Sequence, residues 1–91
     1  MHKIIISCEL YDLVREITSN LEYYLSENIG YMATENCRKL KNSITLKLEN
    51  TVEVELPNEI IEEIMSKFDP STDVTQAVNM LLLCAYMFGG V

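Results

Sequence analysis

An α+β fold is what this sequence predicts, a small single domain in which a β-hairpin packs against three helices. Two short runs, SITLKL (43–48) and TVEVEL (51–56), alternate apolar and polar residues with the period of a half-buried strand. Longer runs repeat apolar residues every three or four positions, the period of a helix with one buried face. The chain of 91 residues is the length of one domain, and its apolar content of 48% sets it apart from disordered chains.

At the N-terminus, HKIIIS is β-branched and admits either a third strand or an early start of the helix that follows. From Cys8 to Gly30, Leu10, Leu13, Val14, Ile17, Leu21, Tyr24 and Leu25 fall on one stripe, so a continuous helix is expected. Ser7 stands at its N-cap, and Glu9 and Asp12 fall in the first turn, where the helix dipole favours acids. YMATENCRKLKN (31–42) holds no sustained period and reads as a loop with a helical turn.

Strand pairing must set apolar opposite apolar, because a slip of one residue exchanges the faces. A two-residue turn at Glu49 and Asn50 sets Leu46 against Glu53, a mismatch. A three-residue turn through Glu49, Asn50 and Thr51 pairs Leu48 with Val52, Leu46 with Val54 and Ile44 with Leu56. It also places Lys47 against Glu53 on the outer face, so this hairpin is the expected one.

PNEIIEEIMSKF (57–68) follows as a helix. Pro57 suits its entry; Ile60, Ile61, Ile64, Met65 and Phe68 line one face, and Glu59, Glu62 and Glu63 the other. DPSTD (69–73) breaks the chain, and Ser71, Thr72 or Asp73 caps the last helix, with Gln76 placed for a near capping box after Asp73. That helix is expected to reach Phe88 and to stop at Gly89 and Gly90.

The last helix is the unusual element, because residues 74–91 carry no charged side chain. Val74, Val78, Leu81, Ala85 and Phe88 share one side; Met80, Leu83 and Met87 lie on the reverse with Gln76. A helix apolar on all sides must be surrounded. Leaving Met80, Leu83 and Met87 in water would forgo roughly 1.5–3 kcal/mol each, a sum comparable with the whole stability of a small domain. The cover is either the rest of the chain, which makes this the central core helix, or a partner. In the second reading Met80, Leu83 and Met87 form the contact with a protein partner or a second copy, in a homo-oligomer or a hetero-complex. Thr75, Gln76 and Asn79, with no flanking Lys or Arg, argue against a membrane segment.

TVEVELPNEIIEEIMSKF and DVTQAVNMLL together resemble the ribbon-helix-helix family, over roughly 40 residues. The features that carry the resemblance are the alternating strand ending in Leu56-Pro57, Glu59, Ile60 and Ile64 on an amphipathic helix, and Thr75 opening a second one. The resemblance implies a DNA-binding regulator acting as a dimer, in which outward strand side chains enter the major groove. The matching outward residues are Glu53 and Glu55, where the family carries hydrogen-bond donors. Asp69 and Asp73 crowd the place where the family's second helix meets a phosphate. CRKLK (37–41) is the segment that would supply phosphate contacts.

Fourteen acidic residues against seven basic leave a net charge of −7, which opposes nucleic acid and favours a basic partner surface. Cys8, Cys37 and Cys84, with no CxxC, and one histidine, His2, make neither a disulfide framework nor a zinc site. No secretory signal precedes CELYD, so a cytoplasmic location is expected. No nucleotide-binding, metalloprotease or nucleophile-elbow motif occurs, and the acid pairs fall on solvated faces. No catalytic residue, cofactor or metal is therefore expected. The expected function is that of a small, acidic, non-enzymatic protein that occupies a protein partner, as an inhibitor, anti-repressor or adaptor. In size and charge it resembles short acidic inhibitors from phages and mobile elements. Its contact residues would be Met80, Leu83 and Met87, with Glu53, Glu55, Glu59, Glu62 and Glu63 steering a basic target, and Tyr11 and Tyr23 on the wet side of the first helix.

Overall fold

The computed structural model describes residues 2–30, 34–43 and 46–88. Strand β1 (His2–Ser7) leads into helices α1 (Cys8–Ile17), α2 (Leu21–Asn28) and α3 (Glu35–Ser43). Strand β2 (Thr51–Leu56) follows, then α4 (Asn58–Met65) and α5 (Val74–Phe88). The α+β class holds, but the sheet is built from a different pair of strands than expected, and the described residues form five helices rather than three.

β2 pairs antiparallel with β1, setting Ile4 opposite Val54 and Ile6 opposite Val52 on the inner face. Lys3 stands opposite Glu55 and Ile5 opposite Glu53 on the outer face. The described residues of this segment do not pair with β2: Ser43 closes α3, and Leu46, Lys47 and Leu48 are irregular. Ile44, and with it the expected Ile44–Leu56 pair, lies outside the described residues. SITLKL alternates, whereas HKIIIS carries three consecutive isoleucines, Ile4 to Ile6, yet it is HKIIIS that pairs with β2. β1 brings Ile4 and Ile6 into the core as buried residues, and α5 binds both segments through side-chain amides, described below. The cation beside Glu53 is accordingly Lys3, at 3.9 Å, and not Lys47.

The continuous helix expected over 8–30 is broken. Thr18 is extended (φ −151°, ψ 150°), and its hydroxyl accepts from the Asn20 N–H at 3.1 Å. The Asn20 side chain then caps α2 by accepting from the Tyr23 N–H at 3.0 Å. Thr and Asn side chains of this kind compete with helical backbone bonds, so Thr18-Ser19-Asn20 ends one helix and starts another. Part of the segment read as a loop forms α3, which buries Cys37 and half-buries Leu40 beneath a polar outer surface. α4 has its expected faces, with Ile60, Ile61 and Ile64 buried and its acids exposed. Pro57 precedes it, and the Pro57 carbonyl accepts from Ile60 and Ile61 N–H groups.

α5 is the axis of the molecule. β1, α1, α2, α3 and α4 all pack against it, and its buried residues include Ala77, Val78, Met80, Leu81, Leu82, Cys84 and Ala85. The near capping box is not formed, because Gln76 is used elsewhere. Its amide oxygen accepts from the Leu46 N–H (3.1 Å) and its amide nitrogen donates to the Leu46 carbonyl (2.8 Å).

One turn further along, Asn79 is fully buried and treats β1 in the same manner. Its Oδ1 accepts from the Ser7 N–H (2.8 Å), while its Nδ2 donates to the Ile5 carbonyl (3.0 Å) and to the Thr75 carbonyl (2.7 Å). An asparagine side chain is an amide, so it meets the strand as a neighbouring peptide group would, and it closes the edge of β1 that faces away from β2.

Asn79→Ala removes all three bonds and strands two backbone groups of β1 at the sheet edge, and is expected to cost about 2–4 kcal/mol in urea unfolding. Asn79→Asp keeps the acceptor but turns a carboxylate onto the Ile5 and Thr75 carbonyls, and is expected to destabilise more than alanine at pH 7. Equal midpoints for the wild type and both variants would show that this amide does not hold the sheet.

Candidate functional site

The three apolar residues expected to form one contact surface are separated by the fold. Met80 is 4% exposed and belongs to the core, Leu83 is half-buried, and Met87 is 53% exposed. Met80 is thus withdrawn from any interface, because five elements surround α5 and cover its reverse side as well as its first stripe. What emerges is the last turn, where Tyr86, Met87 and Phe88 are exposed in succession beyond the reach of the packing layers.

Tyr11 and Tyr23 do not share a helix. Tyr11 is half-buried against the core, and its hydroxyl accepts from the Arg15 guanidinium (2.8 Å), which also lies 5.4 Å from the centre of the Tyr11 ring. Tyr23, on α2, is 60% exposed.

The acidic residues, in contrast, are where the sequence places them. Glu53 and Glu55 alternate with Val52 and Val54 and stand exposed on the outer face of the sheet. Glu59, Glu62 and Glu63 stand exposed on α4, opposite its buried isoleucines. Among the described residues, the one ion pair made by any of these five carboxylates is Glu53 with Lys3, and both side chains of that pair are about two-thirds exposed (61% and 66%). An ion pair so solvated is worth at most about 1 kcal/mol and does little to neutralise the surface.

The basic residues are more engaged. On α3, Lys39 lies 3.5 Å from Glu35, and the Lys41 ammonium donates to the Lys67 carbonyl (2.8 Å) while sitting 4.9 Å above the Phe68 ring. Lys41, Phe68, Asp69, Asp73, Gln76 and Met80 line a cleft of about 250 Å³. Asp69 is held below its ordinary pKa by hydrogen bonds from the Ser71 backbone and hydroxyl, so its carboxylate is occupied in shaping the loop. Lys41 and Asp69 therefore serve the cleft's own walls. Among the described residues, no cluster of His, Cys, Asp or Glu has the geometry to hold a metal ion. Among them, also, no helix is long and apolar enough to cross a membrane.

Spacing in the sequence does not reveal the meeting of Cys37 on α3 with Cys84 on α5, both fully buried. Burial, then a hydrogen bond and the charge of Cys37, push the Cys84 thiol from 9.0 up to about 12. A thiol so raised is a poor nucleophile at neutral pH. Neither a protein-family model, nor a curated protein, nor a solved structure matches the chain.

The thiols make two expectations. Under native conditions a disulfide reagent should modify half-buried Cys8 first and reach Cys37 and Cys84 only at the rate of opening; rapid reaction of all three would contradict the packing. Between pH 9.0 and about 12 the folded state retains the Cys84 proton that the unfolded state has lost. Stability should therefore be complete below that window and fall as pH rises through it, with Tyr24, also raised by burial, adding in the same direction. The slope of urea midpoint against pH should flatten in Cys84→Ala.

Proposed function

We propose that this protein acts without catalysis, by binding a basic surface of another protein in the manner of a small inhibitor, anti-repressor or adaptor. The observation that carries this reading is the set of five exposed carboxylates on β2 and α4, matched by a single solvated lysine. A surface of one sign raises the encounter rate with an oppositely charged partner and rejects nucleic acid, whose affinity derives from cations. The buried apolar side of α5 leaves this acidic surface, with the exposed Tyr86, Met87 and Phe88 turn, as the region free to meet a partner.

The reading of β2, α4 and α5 as a DNA-binding ribbon is less well supported. It needs cations at the groove, and the outward residues of β2 are Glu53 and Glu55. Of the three basic residues of α3, Lys39 and Lys41 already meet groups of this chain.

The test uses the full chain as bait in an extract of its native cell, beside a variant with Glu59, Glu62 and Glu63 replaced by Gln. These residues are exposed, so the variant should fold with unchanged stability. A retained protein should be basic, and its association rate should fall about tenfold or more both in the variant and between low and physiological salt. Retention indifferent to the substitutions and to salt would overturn the reading, as would a shift of duplex DNA at low salt.

A further inference from the structure

The two edges of the sheet are treated differently, and the difference has a chemical consequence. The Cys8 N–H donates to the Asn50 carbonyl at 2.9 Å, which fixes the alternation of the ladder. In an antiparallel pair, residues that exchange bonds alternate with residues that do not. Ile6–Val52, Ile4–Val54 and His2–Leu56 are then the bonded pairs. On β2, the N–H and C=O groups of Thr51, Glu53 and Glu55 point the other way. On β1, the Ser7 N–H and the Ile5 C=O, which face the corresponding edge, are met by Asn79. Among the described residues, no group meets those of β2.

We propose that this open edge of β2 takes an extended segment of the protein partner as an added strand, one that alternates basic and apolar residues. The inference rests on the protein-binding reading above and names the site and the chemistry of the occupant. Backbone pairing along an exposed edge is an established mode of peptide capture, with alternate side chains setting the specificity. On the outer face, Glu53 and Glu55 would stand beside the incoming side chains and call for Lys or Arg there. On the inner face, Val52 and Val54 pack against the core but are only half-buried, so apolar residues at the alternate positions would complete their cover.

The same geometry disfavours a second copy in the registers centred on the glutamates. Pairing must keep outer residues opposite outer residues, so a two-fold axis on Glu53 or Glu55 sets that residue against itself. An axis on Val54 sets Glu53 against Glu55 twice. Each of these registers brings carboxylate to carboxylate, and like charges directly opposite are destabilising.

The probe is an eight-residue peptide alternating Lys and Val, capped at both ends, added to the isotopically labelled full chain. Two control peptides accompany it, one with Glu in place of Lys and one N-methylated at every residue. Saturable changes in the amide signals of Thr51, Glu53 and Glu55, with hydrogen exchange there slowed at least tenfold, are expected from the Lys-Val peptide alone. Glu53→Lys with Glu55→Lys should weaken its affinity at least tenfold. No change at these amides would overturn the proposal. So would equal binding of the methylated peptide, which would reduce the effect to charge. Concentration-dependent protection of the same amides without peptide would overturn it in favour of a second copy. If the peptide fails while the Glu59, Glu62 and Glu63 variant still loses its partner, the edge is refuted and protein binding stands. If that variant retains its partner, the underlying reading falls first.

Discussion

The contact on which the arrangement depends is the amide of Asn79 laid against β1. It joins the two ends of the chain, since Ser7 and Ile5 are bound by a residue of the last helix. A two-stranded sheet is marginal in water, having two edges and only one inner face to bury. Here one edge is satisfied from below by a side chain, so the sheet and α5 form a single unit rather than two layers pressed together by apolar contact. The same bonds position Ile4 and Ile6 over α5 and set which strand lies beside β2. Gln76 repeats the device at Leu46, where it holds the chain in an irregular path before β2 begins.

That device accounts for the polar residues of a helix otherwise apolar on every side. A helix with no charged side chain needs neighbours all round, and in a small domain these include a strand edge whose backbone groups must themselves be satisfied. Asn79 and Gln76, three residues apart, lie on one side of α5 and serve such backbone groups; the remaining buried positions are apolar apart from Cys84, whose thiol meets Cys37. The helix is longer than the packing around it, and its last turn stands clear with Tyr86, Met87 and Phe88 exposed.

Local features were readable and non-local ones were not. The alternation in TVEVEL, the isoleucine face of α4 and the extent of α5 are recorded within a few residues each, and the structure has them where the periods place them. The alternation of residues 43–48 points to the wrong partner for β2, because residues 2–7 do not alternate and the contacts that hold β1 in place come in part from α5, distant in sequence. Thr18-Ser19-Asn20 carried a capping signal that the unbroken apolar stripe concealed. A helical projection places Met80 on a surface because it orders the faces of a helix without counting its neighbours. The acidic residues were legible for a simpler reason, since exposed carboxylates on an alternating strand and an amphipathic helix need no distant partner to fix their direction.

An open strand edge is a liability unless something restrains its pairing, and charge is one of the means available. Apolar or neutral residues at positions 53 and 55 would leave the edge of β2 free to join any strand, including its own copy. Carboxylates there oppose the symmetric pairings centred on residues 53 to 55 by repulsion and do so without occupying the N–H and C=O groups. An edge of this kind would stay competent for pairing while favouring an occupant that brings positive charge. Lys3 does not cancel this selectivity, because it sits across the sheet on β1, on the side away from the open edge, and its contact with Glu53 is solvated. The pattern in which one edge is closed by an amide and the other guarded by acids is consistent with a sheet that is complete as a fold and incomplete as a surface.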